Sequence, residues 1–262
     1  MNVDIKKYNS DGYIIIEDFL KDSELNEFEL NISNFTNSQI LKLDISKSSN
    51  DPLIELFNRG GDYRKKLYDS IQELVIFERI KIRLFDDLNK SGVLSKLDFK
   101  VPILRSGLFV SLPNEEFLDN PVHQDIYSFI STKFLRFWIP LRKVDNFHGS
   151  MRLWAKSHKN GFIPPDDYAD LTYPTFKKKN YEHLSNIVID SEPGPCVMFN
   201  PMLLHSTVSN FSNIVRFSLS IDIIDLAELG DFNDADGEFS KMTEISNNRK
   251  AKRSSSDSYK KL

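Results

Sequence analysis

The stretch Val215-Arg216-Phe217-Ser218-Leu219-Ser220-Ile221-Asp222-Ile223-Ile224 alternates apolar and polar residues and predicts a β-strand. Side chains at every second position of a strand share a face. The apolar face holds Val215, Phe217, Leu219 and Ile221. The polar face holds Arg216, Ser218, Ser220 and Asp222. On an exposed sheet this pattern means half-burial, whereas in a small barrel the polar face lines an internal cavity.

Helical patterns come before this strand and its neighbours, without alternation of helix and strand. After a predicted strand at 12–20, helices are expected from Asp22 to about Asn34, from Asn50-Asp51-Pro52, and over 62–90 up to Gly92. Further strands are expected at 99–111, 121–127, 134–142, 151–154, 186–190, 196–200 and 215–224. This order predicts an α+β chain with a helical part at about 1–97 and a β-sandwich or barrel core at about 98–225.

The bulk composition is that of an ordinary globular protein. The chain has 262 residues, a net charge of −4 and 40% hydrophobic residues, which do not favour nucleic acid as a partner. We expect one domain over 1–247, a long loop at 159–185, and a disordered basic tail at 248–262. Cys196 is the single cysteine, so no intrachain disulfide can form. Without a signal peptide or a membrane-spanning run, the sequence predicts a cytoplasmic protein with no membrane contact.

Three side chains form a candidate metal site. His123 and Asp125 are two residues apart in a predicted strand, so their side chains project from one face. His205 is the best third ligand among the five histidines, since it follows a turn that returns the chain to a sheet. Two histidines and one carboxylate are the ligands of mononuclear non-haem iron(II) oxygenases.

Arg216 and Ser218 complete the pattern on the later strand. An arginine fork suits a bidentate clamp on a carboxylate, and Ser218 can donate to the same group. Taken singly, His-x-Asp, a lone histidine and Arg-x-Ser are more often surface or core features. Their order and spacing together favour a metal site that binds an acidic cosubstrate.

These residues belong to segments that resemble the phytanoyl-CoA dioxygenase family of iron(II)- and 2-oxoglutarate-dependent oxygenases. The similarity covers about residues 10–224. It is carried by the segments 11–20, 123–125, 137–141, 148–159, 193–207 and 210–216. The resemblance implies a double-stranded β-helix, that is, a cupin-like jelly roll, flanked by N-terminal helices.

The resemblance also implies roles for individual residues. His123, Asp125 and His205 would bind Fe(II), and Arg216 and Ser218 would bind 2-oxoglutarate. Gln124 and Trp138 match positions near this cosubstrate. No catalytic acid or base besides the metal ligands is expected.

The implied reaction is hydroxylation or another oxidation of an unactivated C–H bond by O2, with release of succinate and CO2. The substrate would be a small or carrier-linked metabolite. Asp125 disfavours halogenation, in which a small residue replaces the carboxylate. Desaturation, ring closure and epimerisation stay open, as does the oligomeric state. Two rivals are a cupin-type metalloenzyme that uses no 2-oxoglutarate and a non-catalytic jelly-roll binding module.

Overall fold

The computed structural model describes residues 1, 3–45, 51–115, 120–125, 133–163 and 176–228. Its helices are α1 (Ile5–Asp11), α2 (Asp22–Leu43), α3 (Pro52–Phe57), α4 (Gly61–Gln72), α5 (Val75–Lys90) and α6 (Val93–Lys96). Its strands are β1 (Tyr13–Ile16), β2 (Pro102–Ser111), β3 (Phe134–Pro140), β4 (Met151–Trp154), β5 (Asn186–Val188), β6 (Cys196–Phe199), β7 (His205–Thr207) and β8 (Arg216–Asp225). In this part of the chain, no helix is long and apolar enough to cross a membrane.

The strands form two antiparallel sheets. The larger has five strands in the order β1-β6-β3-β8-β2, and the smaller has three in the order β5-β4-β7. The long strand β8 pairs with β2 on one side and β3 on the other, and all ten of its residues are buried. Burial on both sides means that its polar face does not meet solvent.

One face of the larger sheet packs against the helices. The Phe28 ring of α2 lies 5.9 Å from that of Phe77 on α5 and 5.5 Å from that of Phe217 on β8, measured between centroids. Leu219 and Ile221 of β8 belong to the same apolar cluster. Burying one such side chain contributes about 1.5–3 kcal/mol, so this layer is a main source of stability.

The other face of the larger sheet meets the smaller sheet. Trp138 of β3 and Phe199 of β6 pack in one cluster with Met151 and Leu153 of β4. The alternation of β8 turns its polar side chains toward this inner space. The site is therefore enclosed between the sheets, and the helices lie on the opposite side of the larger sheet.

Most predicted elements are present, but two helices differ in extent. α2 continues to Leu43 instead of ending near Asn34, because Thr36 and Ile40 extend its buried stripe past residues of weak helix propensity. The segment 62–90 is two helices, since the backbone of Leu74 (φ −58°, ψ 128°) is not helical. If α4 continued, its row of buried side chains would include Val75, but Val75 is 71% exposed. The break between the helices therefore lets α5 turn a different set of side chains toward the core.

The predicted strands shorten or change at their ends. The predicted strand at 121–127 is only an isolated bridge at His123 in the described residues, and 126–127 lie outside them. The short strand β7 was not among the expected strands. The tail at 248–262 and much of the loop at 159–185 lie outside the described residues.

Candidate metal centre

A backbone bridge brings two of the predicted ligands together. The His123 amide donates to the His205 carbonyl at 2.9 Å, and the His205 amide donates to the His123 carbonyl at 3.0 Å. The ring centroids lie 4.1 Å apart. One antiparallel bridge thus places side by side two histidines that are distant in sequence.

Asp125 completes the group. Its amide donates to the Pro201 carbonyl at 2.9 Å, which holds this segment against the turn before β7. His123 Nε2 lies 3.6 Å from Asp125 Oδ1, and His205 Nε2 lies 3.3 Å from Asp125 Oδ2. The three residues are buried, and each offers a ligand atom within 4.8 Å of the others. All three predicted metal ligands therefore converge.

The second nitrogen of each histidine ring has a backbone partner. His123 Nδ1 donates to the Pro121 carbonyl at 2.7 Å, and His205 Nδ1 donates to the Leu203 carbonyl at 3.0 Å. A carbonyl oxygen can only accept a hydrogen bond, so the neutral tautomer that fits each ring carries its hydrogen on Nδ1. Both Nε2 lone pairs then face the group, in the arrangement typical of metal-binding histidines.

The Asp125 carboxyl is ionised. Burial alone would raise its pKa, but the Arg136 guanidinium, with His205 and His123, holds that pKa well below its usual range. Burial likewise acts to lower the pKa of Arg136, and Asp125 and Asp222 outweigh it and raise that pKa. The site therefore keeps a charged carboxylate, which is the form that binds a metal cation.

Arg136 was missed in the sequence, although it lies against the metal group. Its Nη1 is in ion-pair contact with Asp125 Oδ2. Its Nε and Nη2 donate to the two oxygens of Asp222 at 2.7 and 3.1 Å. The sequence pattern that could have identified it is a single arginine within the otherwise apolar strand Phe134–Pro140, on the same face as Trp138.

Arg216 and Ser218 also lie on the inner face. Arg216 Nη1 donates to Ser218 Oγ at 2.7 Å, and both residues are buried. Gly149 has φ +70° and approaches this arginine, because an added Cβ would lie 3.5 Å from Arg216 Nε and 2.9 Å from Asn210 Cβ. A glycine is required here by both its backbone angle and the space available.

Two further buried polar atoms fit a site that binds a polar group. In the described part of the chain, Ser220 Oγ and Asn120 Oδ1 have no hydrogen-bond partner. Ser220 lies between Ser218 and Asp222 on the inner face of β8, and Asn120 precedes the His123 segment by three residues. A buried polar atom without a partner costs about 1–3 kcal/mol, so a bound polar molecule or water would relieve this cost.

The other two predicted cosubstrate neighbours differ in setting. The Gln124 amide nitrogen donates to the carbonyls of Gly161 and Met202, and its oxygen accepts from the Ile163 amide. Gln124 thus ties the metal segment to the chain at 161–163. Trp138 is 7% exposed on the inner face of β3, within the cluster between the sheets.

Comparisons with known proteins agree with this arrangement. The family model of phytanoyl-CoA dioxygenase (PhyH) matches residues 8–218. A probable phytanoyl-CoA dioxygenase from Caenorhabditis elegans is 23% identical over 236 residues, which cover 81% of this chain and 72% of that protein.

Solved structures share the fold at low identity. EctD from S. alaskensis, solved with 2-oxoglutarate and 5-hydroxyectoine, has a TM-score of 0.53 at 12% identity, and the match covers 85% of this chain and 75% of EctD. EvdO2 from Micromonospora carbonacea var. aurantiaca, complexed with 2-oxoglutarate, has a TM-score of 0.53 at 13% identity and covers 85% and 91%. The epimerase SnoN, in complex with Fe3+, alpha ketoglutarate and nogalamycin RO, has a TM-score of 0.52 at 16% identity and covers 87% and 88%.

The match to the family model spans most of the chain. It confirms the resemblance drawn from the sequence, and with it the non-haem iron, 2-oxoglutarate-dependent enzyme class and the two cofactors of that class. The chain belongs to the phytanoyl-CoA dioxygenase family.

Proposed function

We propose that the protein uses Fe(II), 2-oxoglutarate and O2 to hydroxylate, or otherwise oxidise, an unactivated C–H bond of a small or carrier-linked metabolite, with release of succinate and CO2. The observation that carries this proposal is the buried group of His123, Asp125 and His205, with ligand atoms within 4.8 Å of one another. This donor set is the one that non-haem iron(II) oxygenases use, with positions left for other ligands.

In this proposal the three side chains hold the iron. His123 and His205 each contribute Nε2, since their Nδ1 protons are held by backbone carbonyls. Asp125 contributes a carboxylate oxygen and a negative charge. When bound, iron supplies activation of O2 in step with oxidative decarboxylation of 2-oxoglutarate. The chain's own residues orient the ligands and keep water out of a buried site.

Arg216 is the proposed partner of the far carboxylate of 2-oxoglutarate. It is buried on the same inner face as Ser218, whose hydroxyl lies 2.7 Å from Arg216 Nη1. An arginine fork matches a carboxylate in both charge and geometry. Ser218 would assist it, and Trp138 and Gln124 would lie near the cosubstrate.

The carboxylate of Asp125 favours oxygen insertion over halogen transfer. A halogenating site needs a metal position for the halide, whereas in the proposed site the buried Asp125 carboxylate would take that position. Hydroxylation is therefore the first reaction to test, followed by desaturation, ring closure and epimerisation.

The substrate class is the least specified part of the proposal. Lys177, Lys178 and Lys179 are exposed just after a segment that lies outside the described residues. Their charge would attract an anionic substrate, such as one linked to a phosphate-bearing carrier. We also propose that the protein is cytoplasmic and that its substrate is not a nucleic acid.

The proposed architecture is a jelly-roll domain over 1–247 with N-terminal helices. Two antiparallel sheets packed face to face, with the site between them, support it. The shared apolar cluster runs from Tyr8 in α1 to Ile223 in β8, so the helices and the larger sheet have one core. This supports a single domain in place of two.

The test is a visible absorption spectrum recorded without oxygen. Fe(II) and then 2-oxoglutarate are added to metal-free protein. We expect a weak charge-transfer band that needs both additions, that disappears in His205→Ala, and that Arg216→Met reduces. Iron binding without the band would favour the cupin-type metalloenzyme. No iron binding would leave only the non-catalytic binding module.

A further inference from the structure

Arg136 lies at the centre of an ion-pair network in the space between the sheets. It is directly opposite Asp222 in the pairing of β3 with β8. Its side chain is 13% exposed, and those of Asp125 and Asp222 are 6% and 5% exposed. Three charged groups are thus buried together, and such a cluster survives only where each charge is paired.

The guanidinium divides its nitrogens between two carboxylates. Nε and Nη2 form a fork on Asp222, at 2.7 and 3.1 Å, and Nη1 turns to Asp125 Oδ2. Asp222 comes from β8, a strand buried along its whole length, so the fork rests on a rigid support. The third nitrogen then acts as a fixed point against which the Asp125 carboxylate is held.

We infer that Arg136 is a positioning residue of the metal centre, which Asp222 fixes in place and which sets the orientation of the Asp125 carboxylate toward the metal. The inference rests on the proposed metal site. A carboxylate can rotate about its Cβ–Cγ bond, and a contact to one oxygen restricts that rotation. Substitution of a group that supports a metal ligand in this way typically lowers metal affinity or activity by about 10- to 100-fold.

A second arginine provides a matched comparison. Arg142 has the same division of nitrogens: Nε and Nη2 contact Glu29 at 2.8 and 3.0 Å, and Nη1 contacts Asp51 at 2.7 Å. Its Nη1 also donates to the Val215 carbonyl at 2.8 Å. This bridge ties the chain after β3 to α2 and to the start of α3, away from the metal group. It is a structural bridge of similar chemistry.

The probe is Co²⁺ alone, titrated into metal-free protein while visible absorption is recorded. The variants are Arg136→Met, Arg136→Lys and Asp222→Asn, with Arg142→Met as the control. Absorption by bound Co²⁺ reports its ligand geometry, which a loss of stability alone does not alter. Unfolding curves for each variant establish that the titrated protein is folded.

We expect Arg136→Met to weaken Co²⁺ binding about 10- to 100-fold and to alter the absorption bands. Arg136→Lys should restore little, because one ammonium cannot hold Asp222 with a fork and also reach Asp125. Asp222→Asn should act in the same direction with a smaller effect. Arg142→Met should lower stability and leave both the affinity and the bands unchanged.

Two results would overturn the inference. One is wild-type affinity and bands in folded Arg136→Met and Asp222→Asn. The other is tighter Co²⁺ binding, which would mean that Arg136 only repels the metal. If the wild-type protein bound no stoichiometric Co²⁺, the proposed metal site itself would fail, and this outcome is distinct from both. If Arg136→Met did not fold, Asp222→Asn would decide.

Discussion

The two faces of strand β8 are both buried and are chemically opposite. On β8, Phe217, Leu219 and Ile221 enter the apolar cluster with the helices. The intervening residues Arg216 and Ser218 face the space between the sheets. The outer face can be understood from area removed from water alone. The inner face is a buried polar surface, and it borders the proposed metal and cosubstrate sites.

The difference shows why burial alone does not separate core from site. Every residue of β8 is buried, so exposure gives no distinction along this strand. The two faces differ in whether their buried side chains need hydrogen-bond or ion-pair partners. Apolar side chains gain from contact alone, whereas each inner polar group needs a partner from the protein or from a bound molecule. Substitutions on the two faces should therefore change different measured quantities.

The largest expected effect is at His205, a proposed metal ligand on β7 of the smaller sheet. His205→Ala should remove activity and weaken Fe(II) binding by more than the roughly 100-fold that a lost supporting contact costs a metal site. Fold stability of the metal-free protein should change much less. Anaerobic iron titration and thermal unfolding measure both. Strong iron binding in this variant would contradict the assignment of His205.

Phe217→Ala on the outer face should have the opposite profile. Deletion of a fully buried phenylalanine costs about 3–5 kcal/mol, and Phe217 is 0% exposed with its ring against Phe28. Denaturant unfolding should show this loss. In the folded variant, iron affinity should stay within about two-fold of wild type. A parallel loss of iron affinity would mean that the two faces are coupled.

Arg216→Met, next in order, should weaken 2-oxoglutarate binding. A hydrogen bond to a charged group contributes about 1.5–3 kcal/mol, which corresponds to roughly 10- to 150-fold in affinity. Methionine retains part of the buried apolar stem. Iron affinity should be unchanged, because Arg216 is not among the three side chains of the proposed metal site. Equal affinity for 2-oxoglutarate would remove Arg216 from the cosubstrate site.

Ser218→Ala should have the smallest effect. The hydroxyl accepts one hydrogen bond from Arg216, at 2.7 Å. Its loss should cost about 1 kcal/mol, or about five-fold in 2-oxoglutarate affinity. Calorimetric titration without oxygen measures the change. A loss as large as that of Arg216→Met would mean that the serine itself contacts the cosubstrate more strongly than the arginine does.

The sequence predicted most of the local elements and selected three side chains that the structure brings together. Alternation along 215–224 identified β8 and both of its faces. His123 and Asp125 lie together as expected, but the strand on which that expectation rested is only an isolated bridge at His123. Polar strand residues alone left open whether the inner face met solvent. The answer depends on how the two sheets pack against each other, and this packing cannot be predicted from the residue pattern of one strand.

Other features depend on contacts between distant segments. The bridge of His123 to His205 is a single pair of backbone hydrogen bonds between distant segments, so no local pattern predicts it. The proposed role of Arg136 depends on the pairing of β3 with β8, which places Asp222 opposite it. The break before Val75 follows from which helix face meets the core. Tertiary packing decided all three.

The most direct test of the central claim compares two neighbouring residues of β8. Arg216 and Phe217 are adjacent, and their side chains lie on opposite faces of the sheet. Titration of 2-oxoglutarate into iron-loaded protein without oxygen should show one-to-one binding in wild type and in folded Phe217→Ala. The same titration should show roughly 10- to 150-fold weaker binding in Arg216→Met. Unchanged binding in Arg216→Met, or no binding in wild type, would contradict the account.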